Sequence, residues 1–158
     1  MRYFLLMIFI FVMSEPFVLF NFSEESNIQN WIVVNDGVMG GLSKGNFSLN
    51  DEGHALFTGH VSLENNGGFS SVRYNLESKS VKGFKKIKLR LKGDGKQYQI
   101  RVKTRASDNY SYIAYIKTNG KWQTLQIPFS TMTPSFRGQK VDLPNYPGEY
   151  LEQFAILI

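Results

Sequence analysis

The stretch from Lys86 to Lys103 constrains the fold more than any other. In Lys86-Ile87-Lys88-Leu89-Arg90-Leu91-Lys92 every second residue is aliphatic and every other one is basic, and Tyr98-Gln99-Ile100-Arg101-Val102-Lys103 repeats the pattern. Successive side chains of a strand point to opposite faces, so a period of two marks a strand with one face in a core and the other in water. Between the two segments lies Gly93-Asp94-Gly95-Lys96, a tight link. It predicts an antiparallel hairpin with Lys86, Lys88, Arg90, Lys92, Arg101 and Lys103 on one outer face.

The rest of the chain reads in the same way. Phe17–Phe20 and Trp31–Val34 are expected as strands, and Phe47–Leu49 with His54–Phe57 as a hairpin turned by Asn50-Asp51-Glu52-Gly53. His60–Glu64 and Phe69–Leu76 alternate, and Tyr110–Ile116 and Trp122–Phe129 read as a pair around Asn119-Gly120. Thr131–Pro147 reads as loop. Tyr150–Ile158 reads as a last strand, and its abrupt apolar end predicts a further strand to complete the sheet. Outside the leader no window carries an apolar stripe of helical period and length. About nine or ten short strands imply an all-β fold of two antiparallel sheets packed face to face, one domain over residues 17–158.

Length and composition narrow the class. A chain of 158 residues makes one domain with its own core, and 42% hydrophobic with 15% aromatic residues marks an ordered one. The absence of cysteine excludes disulfides, thiolate zinc sites, a cysteine nucleophile and a lipidated cysteine anchor. Residues 1–14 read as a signal peptide: Arg2, then an unbroken apolar run from Tyr3 to Met13 that is shorter than the roughly 20 residues of a bilayer span. An N-terminal membrane anchor or an extension packed on the domain is the alternative. The expected location is therefore exported or membrane-associated.

Two glycine-rich loops stand out. The first is Asn35-Asp36-Gly37-Val38-Met39-Gly40-Gly41-Leu42-Ser43, and the second Asn65-Asn66-Gly67-Gly68-Phe69-Ser70-Ser71-Val72-Arg73. Glycine permits tight folding and close backbone approach, Asx residues close turns, and Met39 within the first loop suggests one that packs inward. Asn35, Asp36, Met39, Gly40, Gly41, Ser43, Asn65, Asn66, Gly68, Phe69 and Arg73 form the candidate binding surface. Asp36 is expected to cap turn amides, with calcium ligation by Asn35 and Asp36 as the alternative. Arg73 is expected to pair with Asp36 or Glu64, or else to meet an anionic ligand.

These loops carry a resemblance. Trp31-x-x-x-Asn35-Asp36-Gly37-Val38-Met39-Gly40-Gly41-x-Ser43, then Phe57 to Arg73, Gly93-Asp94-Gly95-x-x-Tyr98, Trp122 with Pro128-Phe129, and Phe136-Arg137-Gly138 together resemble the complex I intermediate-associated protein 30 family. The resemblance implies a galactose-binding-like jelly-roll β-sandwich. It also implies a non-catalytic, chaperone-like binding protein whose partners are assembly intermediates of respiratory NADH:ubiquinone oxidoreductase. Such work belongs on the cytoplasmic or mitochondrial matrix side of the membrane, in tension with an export signal.

Other chemistry is sparse. His54 and His60 lie without a ligand motif, no metal or cofactor site is expected, and no nucleophile-elbow, zinc-protease or phosphate-loop pattern occurs. The formal charge of +5 concentrates in residues 79–105. It reads either as a solvated sheet face or as a docking surface for an anionic surface or acidic protein, with nucleic acid disfavoured for want of a binding motif. Tyr110, Tyr112, Tyr115 and Trp122 raise a carbohydrate-binding module as the alternative, and a hydrolase on the same scaffold comes third.

Overall fold

The computed structural model describes residues 15–158. The expected leader, residues 1–14, lies outside the described residues, as do the side chains of Val38, Met39 and Asn66. The strands are β1 (Trp31–Asn35), β2 (Lys44–Leu49), β3 (Ala55–His60), β4 (Ser70–Ser80), β5 (Lys86–Lys92), β6 (Gln97–Lys103), β7 (Ser111–Lys117), β8 (Trp122–Pro128), β9 (Thr133–Phe136), β10 (Gln139–Lys140) and β11 (Tyr150–Leu157). Every pairing among them is antiparallel. One seven-stranded sheet runs β1-β4-β11-β6-β7-β9-β10, and β2-β3 and β5-β8 are separate two-stranded ribbons. Among the described residues no helix is long and apolar enough to cross a membrane.

The ribbons cover the inner face of the large sheet. Ile87, Leu89, Leu91, Leu125 and Ile127 of β5-β8 share one core with Ile100, Val102, Ala114, Ile116 and Phe154 of the large sheet. On the β2-β3 side the core is aromatic. Trp31 stacks between Phe47 (ring centroids 5.1 Å apart) and Tyr74 (4.8 Å), and Phe20 and Phe22 close on its edges at 5.5 and 5.2 Å. Phe17–Phe20 is therefore not a strand. Its contiguous apolar run, without alternation, is a coil whose rings plug the layer edge.

The expected hairpin between β5 and β6 does not form. β5 pairs with β8, setting Ile87 opposite Ile127 and Leu89 opposite Leu125, while β6 lies between β11 and β7 in the other layer. The expected pairing of Tyr110–Ile116 with Trp122–Phe129 is parted in the same way. Alternation reports one buried face and leaves the neighbour undetermined. Gly93–Lys96 is instead a crossing between layers, fixed by Thr118. Its hydroxyl takes the Gly95 N–H at 2.9 Å and donates to the Lys96 carbonyl at 2.9 Å. Asp94 completes the corner by accepting the Tyr98 hydroxyl at 2.6 Å and the Lys96 N–H at 3.1 Å. Those hydrogen bonds hold the Asp94 carboxyl well below its ordinary range, and burial, then Asp94, push the Tyr98 phenol up to about 12.

Two further readings are corrected. His60–Glu64 is not a strand: β3 ends at His60, and Glu64–Asn66 is a 3-10 turn. Within Thr131–Pro147, read as loop, lie β9 and β10, which Pro134 and Gly138 mask because both residues read as strand breakers. The run Phe154-Ala155-Ile156 sits in β11, which pairs with β4 on one edge and β6 on the other. The hairpin of β2 and β3 forms as expected, with Phe47 opposite Phe57.

Ile100 has no exposed surface and lies at the junction of both layers. Ile100→Ala is expected to lower unfolding free energy by about 3 kcal/mol, read as a shift of the denaturant midpoint at constant slope.

Candidate functional site

The two glycine-rich loops meet at a buried carboxylate. Asp36 follows β1 in a 3-10 turn and is fully buried. Its Oδ1 accepts the Ser43 N–H at 3.0 Å, and its Oδ2 accepts the Ser43 hydroxyl at 2.5 Å and the N–H groups of Gly68 (2.7 Å) and Phe69 (3.3 Å). One side chain thus ties the first loop to itself and to the second loop. Burial opposes ionisation, but the hydrogen bonds from Ser43, Gly68 and Phe69 outweigh it and hold the carboxyl below its ordinary value. The glycines make room for it. A Cβ on Gly41 would overlap the Asp36 side chain, and one on Gly67 would stand 2.6 Å from its Oδ2. Asn35 adds a second tie, its Oδ1 accepting the Gly45 N–H at 3.0 Å and the Ser70 hydroxyl at 2.7 Å.

Capping of turn amides is what Asp36 does, across two loops rather than one. Both carboxylate oxygens accept from protein donors, one on Oδ1 and three on Oδ2. Among the described residues no group of three or more His, Asp or Glu gathers around a common point. Asp36 and Ser43, expected on a binding surface, are buried beneath it, because a carboxylate held by four donors faces inward. Among the described residues around the two loops, Gly37, Gly40, Leu42, Leu63, Glu64 and Asn65 are exposed. Leu42 is 50% exposed and Leu63 83%. Gly40 and Asn65 hold left-handed backbone, at φ 86° and 54°. Phe69 is half-buried.

The expected pairing of Arg73 with Asp36 or Glu64 does not occur. Arg73 lies on the outer face of the large sheet, and its Nε donates to Ser71 Oγ at 3.3 Å. Register places Ile32, Arg73, Ala155, Arg101, Ile113 and Thr133 side by side across six strands. Arg101 donates from Nε to Gln99 Oε1 at 2.8 Å, and Gln99 Nε2 donates to the hydroxyl of Tyr115 at 2.8 Å. Lys103 donates to the carbonyl of Asp108 at 2.6 Å. No local signal in the sequence gathers this row, since each member comes from a different strand.

The single basic face is accordingly two faces. Lys86, Lys88, Arg90 and Lys92 lie exposed on β5, while Arg101 and Lys103 lie in the other layer. On β5 two of the four cations have partners: Lys86 donates to Gln126 at 2.6 Å, and the Arg90 guanidinium lies 4.2 Å from the centre of the Trp122 ring. His54 packs on the same Trp122 ring at 4.9 Å. The aromatic group is divided too. Tyr112 is buried in the core beside Tyr146, with Tyr110 packed on it, whereas Tyr115 is 61% exposed.

The lock generates two expectations. Ser43→Ala removes the three hydrogen bonds of the Ser43 hydroxyl, one to Asp36 and two with the Ser62 backbone, from a buried site and is expected to cost about 2 kcal/mol in denaturant unfolding. The Asp36 carboxyl is depressed in the fold, so the unfolded chain takes up the proton first as pH falls. Its stabilisation is complete above its unfolded pKa of about 3.9 and is lost as pH drops from there through the folded value. Asp36→Asn is expected to lower Tm at pH 7 and to flatten the wild-type fall of Tm with acid, by calorimetry from pH 7 down to 2.

Comparison with known proteins fits this geometry. The family model for complex I intermediate-associated protein 30 matches residues 20–158, a range that holds both loops and every strand. The mitochondrial complex I intermediate-associated protein 30 of Mus musculus is 25% identical, over 84% of this chain and 47% of that protein. The chain thus spans about half the length of this curated relative. Among solved structures, a family 11 carbohydrate-binding module from Clostridium thermocellum, in complex with a β-1,3-1,4-mixed-linked tetrasaccharide, superposes with a TM-score of 0.60 at 14% identity, covering 85% of this chain and 82% of that one. The family 11 module of a cellulosomal cellulase from the same organism gives 0.58 at 13% identity, covering 85% and 88%. These likenesses show the fold, a galactose-binding-like jelly-roll β-sandwich. By the match across residues 20–158, the chain belongs to the complex I intermediate-associated protein 30 family.

Proposed function

We propose that this chain is a non-catalytic, protein-binding domain that serves the assembly of respiratory NADH:ubiquinone oxidoreductase. The observation that carries the reading is membership of a family named for complex I intermediates, through a match that includes both locked loops. The geometry supports binding over catalysis. The buried carboxylate at the centre of the signature loops is committed to four protein donors and has no access to a substrate proton. The lock presents a rigid rim instead, with Leu42 and Leu63 exposed on it as apolar contact points. An assembly role carries a location with it, the cytoplasmic or mitochondrial matrix side of the membrane.

A second reading is a carbohydrate-binding module of an exported protein. It draws on exposed Tyr115, tied to Gln99 beside Arg101 on an open sheet face, since an exposed ring with amide neighbours suits a sugar.

Affinity capture from native membranes and extract, with the chain from Glu15 onwards as bait, separates the two. Complex I subunits are expected in the eluate, and glycans or envelope proteins in their place would overturn the assembly reading. Leu42→Asp with Leu63→Asp is expected to reduce the captured subunits about tenfold at unchanged Tm, because both side chains lie outside the core.

A further inference from the structure

On the outer face of the seven-stranded sheet, charge and burial are at odds. Arg73 and Arg101 stand two strands apart, about 10 Å between Cα atoms at ordinary strand spacing, with only the methyl group of Ala155 between them. Both are half-buried. Each uses its Nε on a neutral acceptor, Ser71 Oγ or Gln99 Oε1. Lys103 of β6, the third cation on this face, turns to the carbonyls of Asp108 and Ala106, and the Asp108 carboxylate takes the Arg105 N–H. Among the described residues no carboxylate forms an ion pair with any of the three. Burial lowers the pKa of all three cations, and the charge of Arg73 lowers Arg101 and Lys103 further; only Lys103 has a nearby carboxylate, Asp108, acting the other way.

Two guanidinium groups drawn out of water without a carboxylate partner, as Arg73 and Arg101 are, oppose folding, and solubility is served better by exposed lysines such as those on β5. The neighbours are not those of a solvated face either. Ile32 flanks Arg73 at 48% exposure, Ile113 flanks Arg101, and Tyr115 stands exposed next to Gln99. Arginine, tyrosine and aliphatic side chains together have the composition of a protein-interface centre.

We propose that this row binds an acidic, partly apolar segment of a partner protein, its carboxylates on Arg73 and Arg101 and its backbone crossing over Ala155. In a polyproline-II segment, residues three apart lie along one edge about 9 Å from each other, close to the arginine spacing. The planar guanidinium provides a two-pronged grip on each carboxylate. The inference rests on the protein-binding reading and names the chemistry of the partner.

The test is fluorescence anisotropy with a labelled Glu-Pro-Leu repeat peptide and a Gln-Pro-Leu control at low salt. The wild-type chain is expected to favour the glutamate peptide at least about tenfold, and Arg73→Ala with Arg101→Ala to lose that preference. Arg73→Lys with Arg101→Lys keeps the charge without the fork and is expected to fall between them. Lys86→Ala, Lys88→Ala and Lys92→Ala together are expected to keep the preference. Tm of the double alanine variant is expected at or above wild type, since it relieves repulsion, so lost binding is not lost folding. No preference for glutamate over glutamine, or an equal loss from the β5 variant, would overturn the inference. Tighter binding of oligogalacturonate than of the peptide would overturn it too and make the row a site for acidic glycans. Capture of complex I subunits without any glutamate preference would sink this inference alone, whereas a glutamate preference without their capture would sink the assembly reading and leave the row standing.

Discussion

The Asp36 carboxylate is the constraint on which the loop end of this sandwich depends. Leaving a charged group wholly out of water is strongly unfavourable unless donors replace its hydration. Ser43, Gly68 and Phe69 supply them, and each has to be brought there by a particular backbone path. That requirement explains the composition of both loops together. Gly41 and Gly67 are needed because the carboxylate occupies the space a Cβ would fill. Asn35 and Ser70 fasten the adjoining ends of β1 and β4, which are themselves paired.

Behind the loops, the two layers divide the labour. The inner face carries the apolar core, and the Trp31 cluster seals the side where only a short ribbon covers the large sheet. The outer face of the same sheet is free to carry polar groups, and arginines take positions there with neutral hydrogen-bond acceptors and no carboxylate partner. The β5 face is different in kind: its lysines are exposed, and its arginine rests on a tryptophan. Equal net charge on the two faces would conceal this difference, which burial and partners reveal.

The shared sandwich with carbohydrate-binding modules, at 14% identity, concerns architecture. A jelly roll offers an open sheet face and a cluster of loops to whatever chemistry its surface residues provide, so function has to be argued from those residues. Here the loops are locked by their own hydrogen bonds, and the sheet face presents cations flanked by isoleucines and a tyrosine.

Strand content was legible in the sequence because a period of two is a local property: Lys86–Lys92 and Gln97–Lys103 alternate whatever they pair with. The loop signatures were legible for the same reason, since glycine and Asx residues act on their own backbone. The hairpin of β2 and β3 was legible because one turn fixes its register. Pairing between distant strands was not. β11 inserts between β4 and β6, and β5 leaves β6 for β8, choices made by burial of complete faces rather than by any short segment. Arg73 and Arg101 come together only through that register, and Asp36 finds Gly68 only when both loops close. The sequence alone determined an all-β chain with one buried face per strand and two glycine loops built for close approach. The tertiary structure decided which strands are neighbours, which carboxylate is buried and which cations share a face, because those depend on contacts between residues far apart in the chain.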